Sequence, residues 1–125
     1  MSIPKTKILI VDPDQQAAEF LKDDLTEDGY DATMVTTGAD AFTCATTGAF
    51  KLAIIDRNLA DINSLRLCEK IRAEALAEQL SIIVISSFDD DEDRANALSL
   101  GADEYLCKPF RYSALSQLVA RLVEH

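Results

Sequence analysis

Five short apolar runs constrain this chain more than any other feature. They lie at residues 7–11, 32–35, 52–55, 82–85 and 105–107. Four of them are rich in Ile, Val or Leu and do not alternate with polar residues. A strand that is apolar on both of its faces needs cover on both faces, which is the condition of a parallel sheet sandwiched between helices. The segments between the runs have helical character. Ala17, Leu21 and Leu25 recur every fourth residue after the polar start Asp14-Gln15-Gln16. Leu65, Cys68, Ile71 and Ala75 repeat at three and four, as do Leu115, Leu118, Val119 and Leu122. One-sided stripes of this kind face a sheet. Gly29, Gly48 and Gly101 each close a helical stretch and precede a strand, where a left-handed helix end favours glycine. The β-α alternation repeats five times. It predicts an α/β fold: a doubly wound, five-stranded parallel sheet with five helices and right-handed crossovers.

The length of 125 residues fits one domain, read here as 1–125 with no output domain in the chain. Such a chain can bury a core without metal or disulfide staples. Twelve basic against 22 acidic side chains leave a net charge of −10. That balance argues against direct binding to nucleic acid or an anionic membrane, both of which need a basic footprint. No apolar run approaches the roughly 20 residues of a membrane span. The short apolar run after the N-terminal lysines stops at Asp12, too soon for a signal peptide, so a cytoplasmic location is expected. Cys44, Cys68 and Cys107 are odd in number and widely spaced, which predicts reduced core cysteines rather than a disulfide framework or a zinc site. The lone histidine, His125, leaves no residue for a histidine triad, a His-x-x-x-His metal site or a phosphohistidine relay.

In an open α/β sheet, ligands bind beyond the carboxyl ends of the strands. The first run is followed by Asp12, Pro13 and Asp14, and the third by Asp56. The fourth is followed by Ser86 and Ser87, and the fifth by Lys108 and Pro109. The predicted topology therefore brings carboxylates, a hydroxyl and an ammonium to one edge. Clustered carboxylates repel each other, which favours a divalent cation between them, and an oxygen-only donor set selects Mg²⁺ over Zn²⁺. An Asp carboxylate can attack phosphorus, while the cation and an ammonium neutralise the phosphoryl oxygens. The acidic run at 89–93 reads as a solvated helix N-terminus, favoured by the helix dipole.

Four stretches carry a family resemblance: ILIVD at 8–12, LAIID at 52–56, IIVISS at 82–87 and LGADEYLCKPF at 100–110. With the helices between them they span nearly the whole chain. It resembles the receiver domain of two-component response regulators, the CheY-like fold. The resemblance implies that Asp56 accepts a phosphoryl group from a histidine kinase or phosphotransfer partner. It implies that Asp12, Asp56 and the backbone carbonyl of Asn58 hold Mg²⁺. Ser86 matches the hydroxyl that moves to the phosphoryl group, and Lys108 the lysine that pairs with it, with the bond to Pro109 usually cis. Ser86 and Tyr105 match the switch pair. When they move, the face of the fourth helix, fifth strand and fifth helix is remodelled for a downstream partner or an output domain outside this chain. No enzyme is implied beyond slow self-dephosphorylation.

The chain departs from the family pattern at several positions. Pro13 stands where the family has a second acidic metal ligand, which predicts weakened Mg²⁺ affinity. Asp14, one residue on, is a further candidate ligand and also reads as a helix N-cap. Ala60 and Ser64 replace a common proline and glycine, and Phe88 could shield a phosphoryl group from water. Pro13 motivates an alternative, a pseudo-receiver that serves as an interaction module without phosphoryl chemistry. A third reading takes Asp12-Pro13-Asp14 with Ser86 and Lys108 as similar to the first motifs of haloacid-dehalogenase-type phosphatases. Against it, nothing acidic follows Lys108 until Glu124, and no cap insertion is present.

Overall fold

The computed structural model describes residues 3–124; Met1, Ser2 and His125 lie outside the described residues. The chain runs β1 (Lys7–Val11), α1 (Gln15–Glu27), β2 (Asp31–Val35), α2 (Gly38–Ala45), β3 (Leu52–Asp56), α3 (Ser64–Arg72), a 3-10 turn (Ala75–Ala77), β4 (Ser81–Ser86), α4 (Asp91–Ser99), β5 (Glu104–Cys107) and α5 (Tyr112–Val123). The strands form one sheet in the order β2-β1-β3-β4-β5, and every pairing is parallel. The doubly wound architecture expected from the apolar runs is thus present.

Strand parity divides the core. Ile8 and Ile10 of β1, Leu52 and Ile54 of β3, and Ile83 and Ile85 of β4 pack with Ala18 and Leu25 of α1 and with Leu115 and Val119 of α5. The alternate residues Leu9, Val11, Ala53, Ile55, Ile82 and Val84 pack against α2, α3 and α4. All of these side chains are buried. The register sets Ile10 beside Ile54 and Ile54 beside Ile83, so the apolar rows align across strands. Continuing the same parity points Asp12 and Asp56 towards the α1/α5 face, and Ser86 towards the α4 face.

Local chemistry fixes the helix starts. Asp14, Thr37, Asn63 and Asp90 each accept backbone N–H groups of the first turn of α1, α2, α3 and α4. At the helix ends, Gly29, Gly48 and Gly101 have positive φ, as expected. Gly101 is the most constrained of them, with φ +119° and the Arg72 Cγ 2.5 Å from where a Cβ would sit.

Two stripes differ from expectation. On α1 it is Ala18, not Ala17, that is buried; Ala17 lines an open cleft beside the carboxyl edge of the sheet, where no strand covers it. The stripe that begins at Leu65 stops short, because α3 ends at Arg72 and Ala75 is exposed in the 3-10 turn while Ala77 is buried. Arg72 stabilises that turn by donating to the carbonyls of Ala77, Leu80 and Gly101 and pairing with Asp103. The three cysteines are free, but only Cys68 belongs to the fully buried core; Cys44 and Cys107 are half-buried. Burial pushes the Cys68 thiol up to about 11.

Candidate functional site

The carboxyl ends of the strands gather the candidate residues. Asp56 is the last residue of β3 and is 9% exposed. Its Oδ2 accepts from the Lys108 ammonium at 2.7 Å, and its Oδ1 accepts from the Asn58 N–H at 2.8 Å. Lys108 follows β5, and its own N–H donates to the Ser86 carbonyl at 2.7 Å. The Lys108–Pro109 peptide is cis. Asp12, Asp56 and Lys108 line one end of a cleft of about 320 Å³ between α1 and α5. Its other walls are mainly apolar and include Ala17, Phe110 and Phe20, the last 65% exposed, with Asp24 and Tyr112 also on the lining.

The charges act on one another. Burial raises the Asp12 pKa above the ordinary carboxylate value; the hydrogen bond from the Asp14 N–H opposes this, and the Asp56 charge adds to it. For Lys108, burial pulls the pKa down, but the hydrogen bond and charge of Asp56, with Asp12 and Asp14 behind them, outweigh it and the pKa rises. Lys108 is therefore an ammonium at neutral pH, held against the candidate acceptor.

The remaining candidates divide. Asp14 is not drawn into the cluster: its Oδ1 caps α1, accepting from Gln16 N–H at 3.1 Å and Ala17 N–H at 3.2 Å. Only its main chain serves the site, by donating to Asp12 Oδ1 at 2.9 Å. Asn58 is exposed in the loop after β3. Ser86 is buried at the end of β4, and its hydroxyl oxygen accepts from the Phe88 N–H at 2.9 Å. The Phe88 ring, 53% exposed, stands in solvent. Tyr105 points inward and is only 4% exposed.

The donor set fits Mg²⁺ in a reduced form. Among the described residues, no group of three or more His, Cys, Asp or Glu could hold a metal ion. Asp12 and Asp56 offer two carboxylates, and the Asn58 carbonyl would be the third protein oxygen. Mg²⁺ commonly keeps several waters and takes one or two carboxylates, so this set suffices in kind. Pro13 adds no side-chain oxygen to it.

Three contributions escaped the sequence reading. The Ser64 hydroxyl, fully buried, donates to the main-chain carbonyl of Asp56 and ties α3 to the end of β3. Asp61 accepts from the Gly38 and Ala39 N–H groups at 2.9 and 3.0 Å, pinning the loop after β3 to the start of α2; these bonds lower its pKa. Arg57, directly after Asp56, forks onto Asp93 with N···O distances of 3.0–3.3 Å. The departure of Ser64 from the family glycine was a signal for the first. Nothing local signals the other two, whose partners are 22 to 36 residues away.

Comparison with known proteins agrees with this geometry. The response regulator ArlR of Staphylococcus aureus (strain Mu50 / ATCC 700699) is 36% identical over 117 residues, covering 94% of this chain and 51% of its own length. The chain thus spans about half the length of the curated relatives it matches. A two-component response regulator from Clostridium difficile superposes with a TM-score of 0.89 at 28% identity, covering 97% of this chain and 98% of its own. The BeF3-activated receiver domain of DrrB superposes at 0.87 with 25% identity, covering 98% of this chain and 100% of its own. No helix among the described residues is long and apolar enough to cross a membrane. The description "Response regulator receiver domain" matches residues 8–120, from the first strand into the last helix, and the chain belongs to that family.

Proposed function

We propose that this protein is a phosphoryl-accepting signalling switch in which Asp56 is the acceptor, and a histidine kinase or phosphotransfer protein the donor. The observation that carries the reading is the pairing of Asp56 with Lys108 at 2.7 Å at the mouth of a cleft that Asp12 also lines. An Asp56 carboxylate oxygen attacks the phosphorus of a phosphohistidine. The O–P bond forms, the N–P bond breaks, and the electron pair leaves on the imidazole nitrogen, which takes up a proton. Lys108 holds the acceptor and neutralises charge on the phosphoryl oxygens. Ser86 stands within the same edge to donate a hydrogen bond to the new group. Mg²⁺, held by Asp12, Asp56 and the Asn58 carbonyl, would supply further charge neutralisation, with lower affinity than in relatives that carry an acid at the Pro13 position.

The resulting movement of Ser86 towards the phosphoryl group alters binding of a downstream partner, or of an output domain outside residues 1–125, at the face that carries Tyr105. The role is that of a signalling domain and not an enzyme. The three free thiols and the net charge of −10 suit a cytoplasmic protein that meets protein partners rather than nucleic acid or membrane.

A second reading, the pseudo-receiver, is favoured by Pro13 together with the engagement of the Asp14 side chain as a helix cap. One experiment separates the two: intact mass after incubation with acetyl phosphate and Mg²⁺, with Asp56→Asn alongside. Gain of one phosphoryl group by the wild type alone is the expected result. No gain in folded protein, with a reactive receiver in parallel, establishes the pseudo-receiver instead.

A further inference from the structure

We propose that Arg57 is a positioning residue that, through Asp93, holds Tyr105 inward before any phosphoryl group arrives. Its meaning for signalling rests on the phosphoacceptor reading above, but the lock itself exists without phosphorylation. Arg57 follows the acceptor directly, and its N–H donates to the Ile85 carbonyl at 2.7 Å, so its backbone is fixed to β4. Strand parity sends its side chain to the face opposite Asp56, the face of Ser86 and Tyr105. There the guanidinium forks onto Asp93 in the first turn of α4, and both side chains are largely buried. The Tyr105 hydroxyl donates its one proton to Asp93 Oδ2 at 2.6 Å, with the Phe88 carbonyl oxygen 3.1 Å from the same hydroxyl. The Arg94 guanidinium lies 5.0 Å from the ring centroid and donates to the Tyr105 carbonyl at 2.8 Å.

Each part of this arrangement depends on the next. Asp93 sits at the end of an acidic run, Asp89-Asp90-Asp91-Glu92. Arg57 is the cation that pairs with it, and it fixes the carboxylate where the tyrosine can reach. An outward swing of Tyr105 would break a short hydrogen bond to an ionised carboxylate and the stacking of Arg94 on the ring. The hydrogen bond from Arg57 lowers the Asp93 pKa, so the carboxylate stays ionised through the neutral range. The residue after the acceptor therefore sets the resting state of the switch. The face of α4, β5 and α5 starts in its Tyr105-inward form, and phosphorylation has little left to change at this ring.

The test is ¹⁹F NMR of full-length protein carrying 3-fluorotyrosine, with the three tyrosines assigned by Tyr→Phe variants. Unphosphorylated wild type and Asp56→Asn should both show Tyr105 in one buried environment. Arg57→Ala and Asp93→Asn should raise the outward-to-inward ratio roughly tenfold, the loss expected for a charge-assisted bond. Arg57→Lys, which keeps the charge but not the fork, should fall between. Mg²⁺ with beryllofluoride should barely move the wild-type Tyr105 signal and should return the Arg57→Ala signal to the inward position. A wild-type signal that is outward or averaged at rest, or one that Arg57→Ala and Asp93→Asn leave unchanged, overturns the lock. Failure of beryllofluoride to bind would count against the phosphoacceptor reading alone, since the resting-state comparison does not use it.

Discussion

Asp12 and Asp56 end adjacent strands on the same face, and the cost of that placement is visible in Asp12. Its pKa is raised by burial, opposed by the Asp14 N–H and reinforced by the Asp56 charge. A carboxylate with a raised folded pKa weakens the fold at pH values above it, and the penalty fades as pH falls through that value. Asp12→Asn should therefore stabilise the metal-free protein at pH 7, on the order of 0.5 kcal/mol after solvent screening, read by urea denaturation. The gain should shrink towards acid pH and when Mg²⁺ is added. Pro13→Asp should act in the other direction on the ion, tightening Mg²⁺ binding roughly tenfold by supplying a further carboxylate, as titration calorimetry would report. Asp93 carries the opposite sign from Asp12. Arg57 depresses its folded pKa, so its contribution is present above the unfolded value near 3.8 and is lost as pH falls through the folded one. Asp93→Asn should cost about 1 kcal/mol at pH 7, and the gap from wild type should close below that window.

At the scale of elements, caps and helix ends do most of the local specification. Asp14 is both the N-cap of α1 and the neighbour of Asp12, and the two roles separate by atom. Its carboxylate serves the helix and its N–H serves the site. Asp14→Ala should cost about 1 kcal/mol of stability yet leave Mg²⁺ affinity unchanged; a large loss of affinity would restore Asp14 to the ligand set. The site also depends on ties between elements. Ser64 holds the end of β3 from α3, Asp61 holds the loop after β3 to α2, and Lys108 N–H holds the end of β5 to β4. These ties keep the loops that flank Asp56 in place, which a loop alone could not do.

For the molecule as a whole, the two-faced core is what keeps the carboxyl edge rigid. Ile54 is buried in β3, two residues before Asp56 and beside Ile10 and Ile83. Ile54→Ala should cost about 2–5 kcal/mol by loss of buried area and the cavity left behind, measured by the shift in denaturation midpoint. Much of this architecture was legible in the sequence. The apolar runs announced covered strands, the glycines marked helix ends, and strand-end residues placed Asp12, Asp56, Ser86 and Lys108 on one edge. Those signals are local: period, capping and parity act within a few residues, and a chain carries them wherever it goes. What only the tertiary structure decided were choices between distant partners. Asp14 had two possible uses, and packing of α1 selected the cap. Nothing near Arg57 in the sequence names its partner, and only the approach of α4 to the end of β3 gave it Asp93, and through Asp93 the ring of Tyr105. Side chains long enough to reach several neighbours find their partner only when the fold brings one of them within hydrogen-bond range, and no spacing along the chain encodes that distance.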